Sequence, residues 1–466
     1  MEVGRKAPKE VSYQDVLPVA LPSSSNRRQF LPVNGQTFTP TGSNIIRIDV
    51  NADSLLDVQH SYLEFTINNT DTSAGSVLFN DSSMSWCNRF SIESAGVTLE
   101  DTYEYGRLIS LLKNNQVSTA NMRGQESVYS NYNENIVNKV LTAGQIAGTS
   151  NLDIQTNPVY PGIASNSKIV NGSAGSRTLC VPLVSALMNC EKYIPLILSN
   201  QGITLVFTLG SANSIGVATD NTAGVAGKAP QWSITNCRYV AHLVSMDRSF
   251  YDALRSEMAM SGSISLHGHA WKHYSNSIAA SDTSPSINIP ARAKSIKAIL
   301  STFKASSTDT TLNNFGTACF ARENITSWMY RIGSQNYPQS AVTVGAKALA
   351  PTLCEVQKAF GKLGDVSMSS NISQISFGQN ESDVGGGGEP LPGNVQSTFC
   401  IGYDTEAFSK SALESGINTA DRALPITLEL TRDSSGDVAY VVTNDNYVCS
   451  DLFIYVNADG TMTPSN

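Results

Sequence analysis

Charge is the first thing this 466-residue chain lacks: only 15% of it is Asp, Glu, Lys or Arg, against roughly 25% in ordinary soluble domains. Its polar surface must come from Ser, Thr, Asn and Gln, loosened by 34 glycines. That suits an all-β protein with many loops. It also suits a surface largely covered in an assembly, because charge is depleted from interface cores. Long apolar runs are missing too, and no N-terminal apolar segment stands out, so neither a transmembrane helix nor a signal peptide is expected. The eight cysteines (Cys87, Cys180, Cys190, Cys237, Cys319, Cys354, Cys400, Cys449) form no C-x-x-C. They read as thiols in a reducing compartment, several buried, rather than as a disulfide framework. A net charge of −8 excludes binding of nucleic acid by counterion release over the body of the chain.

Catalytic motifs are absent as well. There is no G-x-S-x-G, H-E-x-x-H or D-x-D-x-D-G. A Walker A motif fails around Gly227-Lys228, where position 222 is Thr and position 229 is Ala. The run Gly385 to Gly388 reads as a flexible surface loop rather than a phosphate cradle. The carboxylates are dispersed, with no pair placed as acid and base.

What is present is β pattern around one prominent helix. Asp247 to Gly262 carries an N-cap residue, apolar Phe250, Leu254 and Met258 at i, i+4 and i+8, an Arg248–Asp252 pair, and a glycine placed for a left-handed C′. Before it, Ile45–Val50 and Tyr62–Ile67 alternate, Arg89–Ser94 follows, and Ile203–Leu209 and Trp232–Val244 close the half. After it come Ser286–Pro290, Ser295–Phe303, Leu424–Leu430 and two terminal strands. Helix candidates cover Asp101–Lys113, with Leu108, Leu111 and Leu112 apolar, and Ser185–Lys192, Thr352–Leu363 and Thr405–Leu413. Residues 1–43 are polar with scattered prolines and form an extended arm. Up to Arg28 the arm holds Arg5, Lys6, Lys9, Arg27 and Arg28 against Glu2, Glu10 and Asp15. A surplus of two positive charges is too small for a genome-binding tail. Asn114 to Gly175 is a long loop-rich tract of the kind that makes contacts.

The two halves echo each other in order. S-W-C-N-R (Ser85–Arg89) is matched by S-W-M-Y-R (Ser327–Arg331). A helix candidate follows each. Ile194-Pro195 and Leu424-Pro425 then precede I-T-L at Ile203–Leu205 and Ile426–Leu428. Trp86 and Trp328 thus read as equivalent core anchors rather than stacking platforms for a sugar or base. About eight short strands per half is the count of a jelly roll. The expected fold is all-β: two tandem eight-stranded jelly rolls (44–246 and 263–466) joined by the helix 247–262, with a C-terminal tail after Val456.

On this order of elements from Ile45 to Val456, with K-Y-I-P-L-I-L…G-I-T-L-V-F (Lys192–Phe207) and R-I-G-S-Q-N-Y-P (Arg331–Pro338), the chain resembles the double jelly-roll major capsid proteins of icosahedral double-stranded DNA viruses, and most of all the polinton-like virus and virophage type. The resemblance implies a protein of the virion, assembled inside the host cell, with no enzymatic activity and no cofactor. It implies a homotrimeric capsomer of pseudo-hexagonal outline. Its partners would be neighbouring capsomers, penton proteins and minor capsid or cement proteins, with an internal membrane as a further candidate contact.

Two other functions remain open on the residues. A carbohydrate-binding or adhesin-like spike or fibre would need clustered aromatics, and the chain has 8% aromatics with only 4 Trp. A bicupin-like metalloenzyme would use H-G-H-A-W-K-H, where His267, His269 and His273 gather three of the five histidines in seven residues. His-x-His on a strand presents both imidazoles on one face, as a metal site requires. No Glu follows nearby, and a strand face at a subunit contact accounts for the same pattern.

Overall fold

A computed structural model describes residues 21–70, 77–78, 84–129, 169–170, 176–212, 216–217, 231–306, 320–345, 348–361, 363, 370–378, 398–408, 413–420, 424–433 and 441–465. Its main strands fall into two sets of eight. The first is β1 (Ser23–Phe30), β2 (Ile45–Val50), β3 (Leu55–Asn69), β4 (Cys87–Ser94), β5 (Val97–Tyr103), β6 (Ser176–Val181), β7 (Ile203–Leu209) and β8 (Trp232–Met246), with helix α1 (Tyr105–Gln116) after β5. Helix α2 (Arg248–Ser261) leads to the second set. That set is β9 (Ser263–Ile278), β10 (Ser286–Ile289), β11 (Ile296–Ala305), β12 (Ile325–Ile332), β13 (Gln335–Thr343), β14 (Ile401–Asp404), β15 (Ile426–Arg432) and β16 (Val442–Asn457), with α3 (Ala350–Ala359) after β13. A last strand, β17 (Met462–Ser465), pairs with β16.

Strand order is the same in both sets. The first has sheets β1-β8-β3-β6 and β2-β7-β4-β5; the second has β9-β16-β11-β14 and β10-β15-β12-β13. All these pairings are antiparallel. Each strand of one set therefore has its counterpart eight strands on, and each set is a jelly roll of two four-stranded sheets. The alternation that marks the strands also builds the cores. β2 buries Ile46, Ile48 and Val50 and exposes the residues between, and β7 buries Ile203, Leu205, Phe207 and Leu209.

The structure departs from the sequence reading at definite places. The arm is strand from Ser23: β1 pairs with β8 along its whole length, Ser23 opposite Met246 and Phe30 opposite Tyr239. The first helix begins at Tyr105, because Asp101 to Tyr103 belong to β5. Ser185–Lys192 is no helix but one hydrogen-bonded turn, Asn189 N–H donating to Ser185 O. The Thr352–Leu363 helix runs instead from Ala350 to Ala359. Of Thr405–Leu413, the described residues are non-helical, and Thr405 is buried with its hydroxyl on Ile296 O at 2.6 Å. Helix α2 does join the two rolls. Asp247 holds its N-cap position, and Gly262 ends it at φ 81°, a left-handed conformation that a glycine adopts without strain. The face it buries is Tyr251 and Met258, not Phe250.

The tryptophan echo is out of register. With I-T-L of β7 set on I-T-L of β15, the β2 and β10 pairings agree: Ile48 opposite Leu205 matches Ile287 opposite Leu428. On the other side, Phe90 lies opposite Phe207 and Trp328 opposite Leu430. Trp328 thus occupies the place of Phe90, and Trp86 stands in the turn before β4. Both tryptophans are fully buried in their own cores, and Trp328 donates its indole N–H to Thr352 Oγ1 at 3.0 Å.

Candidate functional site: the seam between the two rolls

The covalent link and the physical link between the rolls are different elements. α2 is mostly exposed, whereas ten of the twelve residues of α1 are buried. A helix buried all round is wedged between bodies. Tyr105 and Ile109, four apart, pack into the core of the first roll; Leu108, Leu111 and Leu112 pack into the core of the second. In return Leu266 and Ala270 of β9, Leu452, Ile454 and Val456 of β16 and Met462 of β17 lie in the first roll's core. Two backbones meet at Gly268, where a Cβ would stand 2.1 Å from Ala186 O.

Polar groups at the seam are matched across it. Arg107 of α1 is fully buried, with Nε 3.0 Å from Asp445 Oδ2 of β16. The approach falls short of hydrogen-bond geometry at both atoms, so the pair is a charge contact. The guanidinium also lies 4.4 Å over the Phe320 ring and reaches Thr302 Oγ1 and Phe303 O at 3.4 Å each. Burial alone would raise the Asp445 carboxyl. The His273 hydrogen bond, at 2.9 Å, and the charges of Lys304 and Arg107 more than offset it and hold it well below the usual range. Thr102 Oγ1 donates to Trp271 O at 2.9 Å, and Tyr447 OH to Glu104 O at 3.2 Å.

Glu100 is the seam's costly group. It is buried, and that desolvation pushes its carboxyl up to about 7, against hydrogen bonds from Ala186 N–H, Ser185 and Leu187 N–H and the charge of Lys272. Lys272 is itself lowered by burial. Both line a cleft of about 370 Å³ between β5 and β9, with Asp101, Tyr103, Trp271 and His273.

The three histidines of H-G-H-A-W-K-H do not converge. All lie on odd positions of β9, but His267 and His269 meet Asp451 while His273, four residues and so roughly 13 Å beyond His269 at about 3.3 Å per residue, meets Asp445. Gly385 to Gly388 lies outside the described residues. The seven described cysteines are free, and burial pushes Cys237, Cys400 and Cys449 up to about 12, which makes them inert core residues. No described helix is long and apolar enough to cross a membrane.

The seam covers one sheet edge, whereas among the described residues its counterpart is largely exposed. β5, the edge of the first roll's second sheet, packs against β9 and β17 of the second roll. In the second roll the matching edge is β13, exposed at Gln335, Asn336, Gln339, Ser340, Ala341 and Thr343. The strand matching β9 is β1, exposed from Ser23 to Gln29.

No family model and no curated protein matches the sequence. Solved structures do match in shape over nearly the whole chain. The Faustovirus major capsid protein has a TM-score of 0.57 at 8% identity, covering 96% of this chain and 92% of its own. For the mavirus major capsid protein the values are 0.54 and 12%, covering 100% and 96%. PBCV-1 VP54, whose crystal structure was fitted into a cryo-EM reconstruction of the virophage Sputnik, gives 0.56 and 11%, covering 97% and 99%. At these identities the likeness establishes a shared fold, the double jelly roll.

Proposed function

We propose that this chain is the major capsid protein of an icosahedral virus and acts by self-association, as a homotrimeric capsomer, rather than by catalysis. The structures it matches in shape are named as major capsid proteins of Faustovirus and mavirus. The observation that supports the trimer is the pair of exposed edge strands. Within the chain, the β5 edge of roll one is covered by the β9 side of roll two. The same contact is available between chains, from the β13 edge of one to the β1 side of the next. A head-to-tail contact that closes gives a ring, and three chains make a ring of six similar rolls. An edge strand such as β13, with no strand on its outer side among the described residues, is what natural proteins pair or cover.

Light scattering on the purified chain tests this. The expected mass is three times that of one chain, seen as hexagonal tiles by negative stain. Gln339→Lys with Ala341→Lys, both exposed on β13, puts two positive charges against a β1 face that already carries Arg27 and Arg28 and should give monomers. A monomeric wild type would defeat the trimer. A trimer indifferent to these substitutions would place its contact elsewhere.

A further inference from the structure

We infer that His267, His269 and Asp451 form a binding site for a late first-row divalent cation of the zinc class, one ion per chain. His267 Nε2 lies 2.9 Å and His269 Nδ1 3.2 Å from the same oxygen, Asp451 Oδ1. All three ligand atoms lie within 4.8 Å of one another. Tetrahedral zinc with bonds near 2.0–2.1 Å needs ligand atoms roughly 3.3 Å apart, so small side-chain shifts admit the ion. Local folding sets this up. His267 and His269 share a face of β9 by the period of two, and Asp451 stands directly opposite His269 on β16. Two imidazoles and one carboxylate are a ligand set for zinc, cobalt or nickel.

A second observation points the same way. Three donors crowd onto Asp451 Oδ1: the two imidazoles and Lys297 Nζ at 3.4 Å. A carbonyl-type oxygen has two lone pairs, so this is one donor too many for an oxygen whose side chain is 1% exposed. A cation bound through the imidazole lone pairs replaces the converging protons with one charge. Lys297 then keeps Glu406 Oε1, already its nearer partner at 2.7 Å. The far oxygen is held independently, Oδ2 accepting from Ser295 Oγ at 2.7 Å and Glu414 N–H at 3.1 Å. Such outer hydrogen bonds orient a metal-binding carboxylate. With neutral imidazoles, Asp451, Glu406 and Lys297 sum to one negative charge, which favours a cation. His269 is half-exposed, so the fourth position opens to solvent. The ion would clip β9 to β16 beside the seam, and the inference does not depend on the capsid reading.

The test is titration of the metal-free wild-type chain with Co(II), followed by Zn(II) competition. One equivalent of Co(II) should give visible absorption bands of tetrahedral intensity, and Zn(II) should abolish them. His269→Ala, the substitution least able to disturb the fold, should remove saturable binding, and His273→Ala should leave it unchanged. Ser295→Ala should weaken it roughly 10- to 100-fold. No saturable cobalt spectrum in the wild type overturns the inference, as does unchanged binding in His269→Ala.

Discussion

Replacing Arg107 with Leu tests whether α1 couples the two rolls. The substitution keeps the apolar bulk of the side chain and removes a fully buried charge from beside Asp445. Breaking a buried ion pair by deleting one partner costs about 3–5 kcal/mol, because the other charge is left uncompensated. Here Asp445 retains His273 at 2.9 Å and Lys304 nearby, which argues for the lower end, about 3 kcal/mol. The loss of the guanidinium over Phe320 acts in the same direction. The comparison is Arg331→Leu, which breaks a pair of similar length, 2.9 Å to Glu429, with side chains 48% and 32% exposed; it should cost under about 1 kcal/mol. Urea denaturation of Arg107→Leu, Asp445→Asn and the double variant, at one protein concentration, gives the coupling. Residues in contact should couple by roughly 0.5–3 kcal/mol. A single-variant loss below about 1 kcal/mol, or strict additivity, would refute the view that this pair ties the rolls together.

Two further outcomes follow from the seam. Glu100 is raised from 4.5 to about 7, so the folded state holds its proton more tightly than the unfolded chain does. Its penalty is absent below about pH 4, grows as pH rises through that window, and is complete above 7, at about 3 kcal/mol from 1.36 kcal/mol per unit. Glu100→Gln should therefore stabilise by up to that amount at pH 8 and scarcely at pH 4; an equal change in urea midpoint at both would refute the assignment. Gly268→Ala places a methyl against Ala186 O of the other roll and should cost about 1–3 kcal/mol or more as overpacking. Gly345→Ala, where the methyl meets nothing within 4 Å, is the control, and equal melting temperatures for the two variants would show that the seam yields.

The core strands were legible because they obey a period of two, and the pattern in β2 and β7 returns as buried and exposed side chains. β1 was not legible for the same reason. S-S-S-N-R-R-Q-F has seven exposed residues in a row, so no alternation marks it; its strand character comes from pairing with β8, some two hundred residues away. The leucines of α1 were visible, but a helix pattern does not say which core receives each stripe, and here the two stripes go to different rolls. The His-x-His face was readable, whereas its carboxylate was not, since Asp451 lies 184 residues from His267. The repeated S-W-x-x-R was a true pair of core tryptophans and a false alignment, because a buried indole can enter a core from a turn as well as from a strand.

The two helices that follow β5 and β13 break the likeness between the two rolls. α3 turns Val356 into its own roll's core and leaves Cys354 exposed, whereas α1 gives three leucines to its neighbour. The seam inside the chain is consequently part of the folded core, its apolar side chains packed beside buried polar groups such as Arg107. The edges proposed to meet between chains, Ser23 to Gln29 and Gln335 to Thr343, carry hydroxyls and amides together with Arg27 and Arg28. The proposed ring, built from alternating seams of these two kinds, would separate its steps. The buried seam has to form as the chain folds, because leaving Leu108, Leu111 and Leu112 in water would forgo about 2 kcal/mol for each side chain. The polar one has no such penalty when open. In the proposed capsomer it forms afterwards, between finished subunits, so mispaired chains can part and re-form.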